Sequence, residues 1–129
     1  MDATNDQHCV LIVDDNPALL QTLEAVFTGT GVGCLTAGDS LTALCMLAEH
    51  QPAAVIVDAD TGPLVLWQFC ALVRQHPALG HTRLVVSSNR DDVVERARAM
   101  AAGADAFLPK PFAAEEVLAR LDRQAGVLA

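Results

Sequence analysis

The sequence lacks any uninterrupted run of about 20 apolar residues, the length that a membrane-spanning helix requires, although 52% of its 129 residues are hydrophobic. It also lacks a basic cluster, because its eight lysines and arginines are scattered and the net charge is −8. Residues 1–8 are polar and acidic and have no feature of a secretory signal peptide. These absences argue against a membrane protein, a secreted protein and a protein that binds nucleic acid directly.

The sequence has no C-x-x-C pair, which argues against a disulfide framework or a zinc site. Its cysteines fall within predicted strands and helices, where we expect small buried or half-buried thiols in a reducing cytosol: Cys9, Cys34, Cys45 and Cys70. The four histidines lie far apart in the sequence, which favours surface positions over a metal site. We therefore expect a cytoplasmic protein.

The length corresponds to one domain, and neither a repeat nor a linker divides it. We predict a short polar tail at 1–7 and a single domain at 8–126. Short apolar runs alternate five times with helix-like segments, which gives strands near 9–14, 32–37, 54–58, 83–88 and 105–109, and helices near 17–28, 40–50, 65–76, 92–102 and 113–125. This alternation predicts an α/β fold with a five-stranded parallel sheet and helices on both faces.

Polar residues at the starts of the helix-like segments support these boundaries. Asn16 precedes a proline, Asp39 can cap the second helix, and Asp92 with Glu95 has the spacing of a capping box. The second helix is predicted to bury an apolar stripe, made of Leu41, Leu44, Leu47 and Ala48. The third helix has the least distinct start, because residues 61–63 (Thr-Gly-Pro) look like a loop.

Charged and hydroxyl side chains stand at the carboxyl ends of four predicted strands. They are Asp14 with Asp15, Asp58, Ser88 and Lys110. Because parallel strands end at the same edge of the sheet, we expect these side chains to lie together, where ligands bind in open α/β sheets. Clustered carboxylates repel each other unless a cation joins them. A lysine opposite that cation suggests that a doubly charged anion, such as a phosphoryl group, also binds.

In this order and at this spacing, the motifs resemble those of the receiver domain of two-component response regulators, including single-domain chemotaxis and pilus-motility regulators. The motifs are residues 13–15 (Val-Asp-Asp), residues 52–58 ending in Asp58, Ser88, and residues 103–112 (Gly-Ala-Asp-Ala-Phe-Leu-Pro-Lys-Pro-Phe). The resemblance covers about residues 8–125. It implies a flavodoxin-like (βα)5 fold with strand order 2-1-3-4-5.

The resemblance makes Asp58 the phosphoryl acceptor, with Mg²⁺ bound beside it. By the same resemblance Asp15 ligates the ion directly, Asp14 acts mainly through water, and Asp58 and the backbone carbonyl of Asp60 complete the protein's ligands. Oxygen donors and retained waters are what Mg²⁺ prefers.

The remaining matched positions form the switch. Lys110 is implied to contact a phosphoryl oxygen, and its peptide bond to Pro111 to be cis. Ser88 matches the switch hydroxyl, with Ser87 as its rival one position away, and Phe107 matches the switch aromatic. Ser88 would move to the phosphoryl group and Phe107 would turn into the vacated space. A histidine kinase or phosphotransfer protein would supply the phosphoryl group.

A downstream protein would then read the face made by the fourth helix, fifth strand and fifth helix. The only catalysis expected is of the domain's own phosphorylation and dephosphorylation. The formation of a homodimer is left open.

The loop after Asp58 departs from the family pattern. Residues 61–66 read Thr-Gly-Pro-Leu-Val-Leu, where the family has roughly Met-Pro-x-x-Asp-Gly. We expect a remodelled loop, with residues 64–67 forming either an exposed apolar contact surface or a third helix seated deeper. Asp60 and Arg90 occupy positions that tune phosphoryl lifetime and partner choice in the family. We therefore expect an altered lifetime, and the Asp60 side chain faces either solvent or the incoming water.

Three alternatives to a stand-alone phosphorylated switch stay open. The chain is also compatible with the receiver part of a longer regulator or hybrid kinase, although its start at methionine and its end soon after the fifth helix favour the stand-alone form. A pseudo-receiver scaffold that never carries phosphate is disfavoured by the complete set of acids and lysine. A haloacid-dehalogenase-like phosphatase would place its nucleophile after the first strand within Asp-x-Asp, where this chain has Asp14-Asp15.

Overall fold

A five-stranded parallel sheet forms the centre of the computed structural model, which describes residues 8–113 and 115–119. The strand order is β2-β1-β3-β4-β5, with strands β1 (Cys9–Val13), β2 (Gly33–Ala37), β3 (Ala54–Asp58), β4 (Arg83–Ser88) and β5 (Ala106–Pro109). All neighbouring pairs are parallel. The predicted fold class and strand order are therefore confirmed.

Helices connect consecutive strands, and each lies close to its predicted position. They are α1 (Pro17–Phe27), α2 (Ser40–His50), α3 (Leu66–Gln75) and α4 (Val93–Ala102). Residues 115–119 are also helical, whereas residues 120–125 of the last predicted helix lie outside the described residues. The predicted tail at 1–7 and the predicted domain end at 126 lie outside them too. A short 3-10 helix, Pro77–Leu79, was not predicted from the sequence.

The core has two layers because successive strand residues face opposite sides of the sheet. One layer packs β-strand residues such as Leu11 and Val55 against α2, α3 and α4. The other packs residues such as Ile12 and Ile56 against α1 and Val117. Helices therefore cover both faces, as predicted. Within the described part of the chain, no helix has the length and apolar character needed to cross a membrane.

The apolar stripe predicted for α2 is wrong at two of its four positions. Leu41 is 51% exposed and Ala48 is also exposed, whereas Ser40 and Ala43 are buried. The cause lies in the first turn, where Ser40 is fastened to the loop after β3. Its Oγ accepts a hydrogen bond from the Leu64 N–H at 2.9 Å, and its own N–H donates to the Gly62 carbonyl at 2.9 Å. Turning Ser40 inward turns its neighbour Leu41 outward.

The four cysteines are all free thiols. Cys9 and Cys70 are buried and Cys34 is half-buried, as expected, but Cys45 is exposed and the prediction is wrong there. Cys45 lies on the outer side of α2, next to half-buried Leu44 and Met46 rather than in the core.

The two leucines of α2 give a matched test of this packing. Leu47 is fully buried and Leu41 is half-exposed on the same helix. We expect Leu47→Ala to lower the free energy of unfolding by about 2–5 kcal/mol, because it leaves a cavity in the core. Leu41→Ala should change it by less than about 1 kcal/mol. Urea denaturation measures both, and equal losses would contradict the assigned helix face.

Candidate functional site

The carboxyl edge of the sheet brings three of the predicted site residues into direct contact. The Lys110 Nζ lies 2.7 Å from Asp58 Oδ1 and also contacts Asp14 Oδ2. Both aspartates are buried. They follow or end strands β1 and β3, and the lysine follows β5. One ammonium group therefore bridges two buried carboxylates, Asp14 and Asp58, which are 44 positions apart in the sequence, and it offsets one of their two negative charges.

Hydrogen bonds to neighbouring backbone groups hold two of these residues, Asp14 and Lys110, at the ends of their strands. The Asp14 N–H donates to the Ala37 carbonyl at 3.1 Å, and Asp14 Oδ1 accepts from the Asn16 N–H at 2.9 Å. The Lys110 N–H donates to the Ser88 carbonyl at 2.8 Å, and the Lys110–Pro111 peptide bond is cis. The same turn that places Asp14 also starts α1, where Asn16 caps the N–H groups of Ala18 and Leu19.

The second oxygen of Asp58 is engaged by its own loop. Oδ2 accepts hydrogen bonds from the Asp60 N–H at 3.1 Å and from the Thr61 hydroxyl at 3.2 Å. Thr61 is buried, and sequence reasoning missed it. The available signal was a hydroxyl residue three positions after the carboxylate, in a loop where such local side-chain bonds are common. Both carboxylate oxygens thus have partners, which fixes the rotation of the Asp58 side chain.

The predicted residues Asp15 and Asp60 line the mouth of the site without joining this contact. A cavity of about 460 Å³ opens there, bordered by Asp14, Asp15, Asn16, Leu19, Asp58, Asp60, Asn89, Lys110, Pro111 and Phe112. The Asp60 side chain is 76% exposed, with its carboxylate 3.5 Å from the Arg98 guanidinium. Of the two orientations expected for Asp60, the structure has the one that faces solvent.

The donor set of this cavity fits a hard cation. Among the described residues, no group of three acidic, histidine or cysteine side chains lies close enough together to enclose a metal ion. Mg²⁺ does not need such an enclosure, because it keeps several waters and takes only one or two carboxylates. The carboxylates that border the cavity supply the oxygens, and Lys110 shows that the site already holds positive charge between Asp14 and Asp58.

Two opposing effects act on Lys110, the only lysine in the chain. Burial alone would lower the pKa of its ammonium group, but the hydrogen bonds and negative charges of Asp14 and Asp58 outweigh burial and raise that pKa above its usual value. The lysine is therefore charged at every physiological pH.

The Ser88 hydroxyl is bound to α4, although the Ser88 backbone carbonyl accepts from the Lys110 N–H. Its hydroxyl donates to Glu95 Oε2 at 2.5 Å, and its Oγ accepts from the Arg90 N–H at 3.1 Å. Alternation along β4 turns the rival Ser87 to the opposite face of the sheet, where it lies beside Asp58 in the strand register. Phe107 is buried on β5, with the Arg96 guanidinium 5.0 Å from its ring centroid.

Glu95 is the second functional candidate that sequence reasoning missed. The capping-box prediction is correct for its backbone, since the Glu95 N–H donates to Asp92 Oδ1 at 2.8 Å. The Glu95 carboxylate, however, lies in the interior against Ser88 and Arg98 instead of returning to the helix start. A capping box and a buried acceptor on the first helical turn have the same spacing, so the sequence could not separate them.

Most of the chain matches the model of a known protein family. A family model described as "Response regulator receiver domain" matches residues 10–122. The chain belongs to this family. The receiver domains of two-component response regulators are thus the class in which its site must be interpreted.

The chain matches some relatives over most of their length and others over about half of it. Protein PilG of Pseudomonas aeruginosa is 30% identical over 118 residues, which cover 92% of this chain and 87% of PilG. The response regulator MprA of a Mycobacterium species is 37% identical over 113 residues, which cover 87% of this chain but 48% of MprA. The receiver therefore spans about half the length of that second relative.

A solved structure shares the fold at low sequence identity. It is the receiver domain of the sensor histidine kinase PA1611 from Pseudomonas aeruginosa, with a TM-score of 0.82 and 21% identity, covering 93% of this chain and 98% of that one. That structure has a magnesium ion coordinated in its active site cleft.

The raised pKa of Lys110 predicts a specific loss of stability at alkaline pH. A folded-state pKa above the unfolded value of about 10.4 means that the stabilisation is complete below that pH and is lost as the pH rises through the folded pKa. We expect Lys110→Met to be less stable than the wild type by about 3–5 kcal/mol at neutral pH, because it leaves two buried carboxylates without their cation. The difference should shrink as the pH rises above the unfolded pKa and through the raised folded-state pKa. Urea denaturation in metal-free buffer measures it.

Two features make the alkaline comparison clean. The chain has no tyrosine, and although burial raises the pKa of the Cys34 and Cys70 thiols to about 11, these thiols are common to both proteins. Arg74→Met is a matched control, because it removes the partner of Asp105 and arginine keeps its proton at these pH values. A Lys110→Met difference that stays as constant as that of Arg74→Met would contradict the assigned pKa.

Proposed function

We propose that this receiver accepts a phosphoryl group on Asp58 in the presence of Mg²⁺ and thereby switches its contacts with other proteins. The observation that carries the proposal is the contact of Lys110 with both Asp14 and Asp58 at the mouth of an acid-lined cavity. A positive charge beside a fixed carboxylate is the arrangement that phosphoryl transfer needs, because such transfer depends on positioning and charge neutralisation.

Asp15, Asp58 and the backbone carbonyl of Asp60 would hold the Mg²⁺, with Asp14 acting through water. Support comes from the oxygen donors that border the cavity and from the magnesium ion in the cleft of the PA1611 receiver. When bound, Mg²⁺ supplies charge that offsets the oxygens of the transferred phosphoryl group.

The residues of this chain then prepare the transfer. The Asp60 N–H and the Thr61 hydroxyl hold Oδ2 of Asp58, so the carboxylate cannot rotate away from the cavity. A carboxylate oxygen forms the new O–P bond while the bond from phosphorus to the donor's nitrogen or oxygen breaks, and the product is an acyl phosphate. Lys110, a point charge on a flexible stem, can leave the carboxylates and follow the phosphoryl oxygens. Water later hydrolyses the acyl phosphate and restores Asp58.

The phosphorylated state would be read on the face made by α4, β5 and the helical segment 115–119. The acyl phosphate carries more negative charge than the carboxylate it replaces. We assign Ser88 as the hydroxyl that moves towards it and Phe107 as the aromatic residue that follows. The attachment of Ser88 to α4 supports Ser88 over Ser87 for this role, because movement of its hydroxyl changes a contact of that helix.

The partners would be a histidine kinase or phosphotransfer protein as donor and a cytoplasmic protein as target. The high coverage of PilG supports a receiver that acts without an attached output domain. The half-length match to MprA keeps open a receiver that belongs to a longer regulator.

A small acyl-phosphate donor tests the chemistry. Incubation with acetyl phosphate and Mg²⁺ should add the mass of one phosphoryl group to the intact protein. Asp58→Asn should gain none, because it removes the acceptor oxygen, and chelation of the metal should abolish the gain in the wild type. Asp60→Asn is the matched control. It removes a carboxylate that is mostly exposed, so the variant should still be phosphorylated, with an altered rate of acyl-phosphate decay.

Other outcomes identify the alternatives. A wild type that gains no mass from any donor or cognate kinase would indicate a scaffold that never carries phosphate. Phosphorylation that persists in Asp58→Asn would place the acceptor elsewhere. Release of phosphate from a free phosphate ester with turnover would indicate a phosphatase.

A further inference from the structure

Three acidic side chains are buried among the described residues, and one of them has no place in the chemistry above. Asp14 and Asp58 belong to the cluster around Lys110. The third, Glu95, is 1% exposed and lies on the first turn of α4. A buried carboxylate is costly unless it is paired and hydrogen-bonded, so its partners indicate why this position tolerates it.

The partners of Glu95 are two arginines and one hydroxyl. The Arg98 Nη1 lies 3.2 Å from Glu95 Oε1, the Arg90 Nη1 lies 3.9 Å from the same oxygen, and the Ser88 hydroxyl donates to Oε2 at 2.5 Å. The Arg90 and Arg98 side chains are 59% and 42% exposed, so they offset the charge of Glu95 from the solvent side. Ser88 is therefore the inner partner, on the side of the sheet.

Ser88 has a single proton to donate. In this structure that proton is used by Glu95, and Oγ accepts from the Arg90 N–H. A phosphoryl group on Asp58 offers only acceptor oxygens, so it can bind the Ser88 hydroxyl only if that hydroxyl leaves Glu95. A phosphoryl group on Asp58 and the Glu95 carboxylate would therefore compete for the same Ser88 proton.

From this competition we infer that Glu95 is a positioning residue that holds Ser88 in the unphosphorylated arrangement and sets how strongly the receiver favours that state. The inference rests on the proposed function, in which Ser88 is the switch hydroxyl. A hydrogen bond to a charged acceptor is roughly twice as strong as one to a neutral acceptor. Removing only the charge of Glu95 should therefore strengthen binding of a phosphoryl-like anion about tenfold.

Arg98 links this contact to the loop that follows the acceptor. Its Nη2 donates to the Ala59 carbonyl at 3.2 Å, and Nη1 lies 3.5 Å from the Asp60 carboxylate. When the Ser88 hydroxyl leaves, Glu95 keeps its ion pair with Arg98, so the buried carboxylate of Glu95 still has a partner. The departure of Ser88 thus needs no unfolding of α4, which makes the exchange a reversible step.

The test is a double-mutant cycle of Glu95→Gln and Ser88→Ala, with beryllium trifluoride and Mg²⁺ as the phosphoryl mimic and NMR titration as the measurement. Glu95→Gln should raise the affinity for beryllium trifluoride about tenfold when Ser88 is present. It should leave the affinity unchanged in the Ser88→Ala background, where no hydroxyl is held. Ser87→Ala is the matched control, since the effect of Glu95→Gln should persist in that background.

A second measurement needs no phosphoryl mimic. Urea denaturation of the same four proteins should give a coupling of about tenfold in the unfolding equilibrium constant between positions 88 and 95, because the hydrogen bond exists in the resting state. Glu49→Gln is the control for loss of a glutamate charge, since its exposed carboxylate forms an ion pair only with neighbouring His50 within the described part of the chain. Glu49→Gln should change neither the affinity for beryllium trifluoride nor the coupling between positions 88 and 95.

The outcomes separate the inference from the proposed function. Equal effects of Glu95→Gln with and without Ser88 would overturn the inference and leave the proposed function standing, because a merely structural role would not depend on the hydroxyl. No coupling in the unfolding measurement would overturn it as well. Failure of every variant to bind beryllium trifluoride with Mg²⁺ would overturn the proposed function and, with it, the inference that depends on it.

Discussion

The contact of one ammonium group with two buried carboxylates is the constraint on which the site depends. Asp14 and Asp58 lie at the ends of neighbouring strands, and without a cation between them they would repel each other at low dielectric. Lys110 can reach both only because the sheet order places β1, β3, β4 and β5 in sequence with all their carboxyl ends on one edge. The parallel fold is therefore what brings Lys110 to the two carboxylates that it bridges.

This constraint also explains why the site can respond to a ligand. Lys110 is held by its two partners rather than by the backbone alone, so a more highly charged anion can draw it away. Ser88 stands at the end of β4 between two anionic positions, the Asp58 cluster and the Glu95 carboxylate on α4. Its single proton can satisfy one of them at a time. In the proposed function, a change of charge at Asp58 is converted into a change of contacts on α4, which is the general form of a local switch with a distant readout.

Most of the fold could be predicted from the sequence, because buried strands, helix caps and alternation act locally. Asn16, Asp39 and Asp92 all accept hydrogen bonds at helix starts as their residue types indicate. Predictions failed where a tertiary contact overrides a local preference. Ser40 is buried by its bonds to the loop after β3, which displaces Leu41 to the surface. The Glu95 N–H donates to Asp92 as the capping-box spacing predicts, but the Glu95 carboxylate accepts from Ser88 at the end of β4. The spacing of residues 92 and 95 does not distinguish this arrangement from a complete capping box.

The remodelled loop after Asp58 shows the same interplay. Thr61 is buried on the acceptor carboxylate, and α3 begins without a side-chain cap. The two alternatives expected for residues 64–67 are both partly correct, because Val65 and Trp67 are 51% and 63% exposed while Leu66 is buried between them. Arg98 joins this loop to α4 through the Ala59 carbonyl. The acceptor loop therefore reaches α4 through Arg98, and the proposed movement of Ser88 would add a second route that ends on the same Glu95–Arg98 pair.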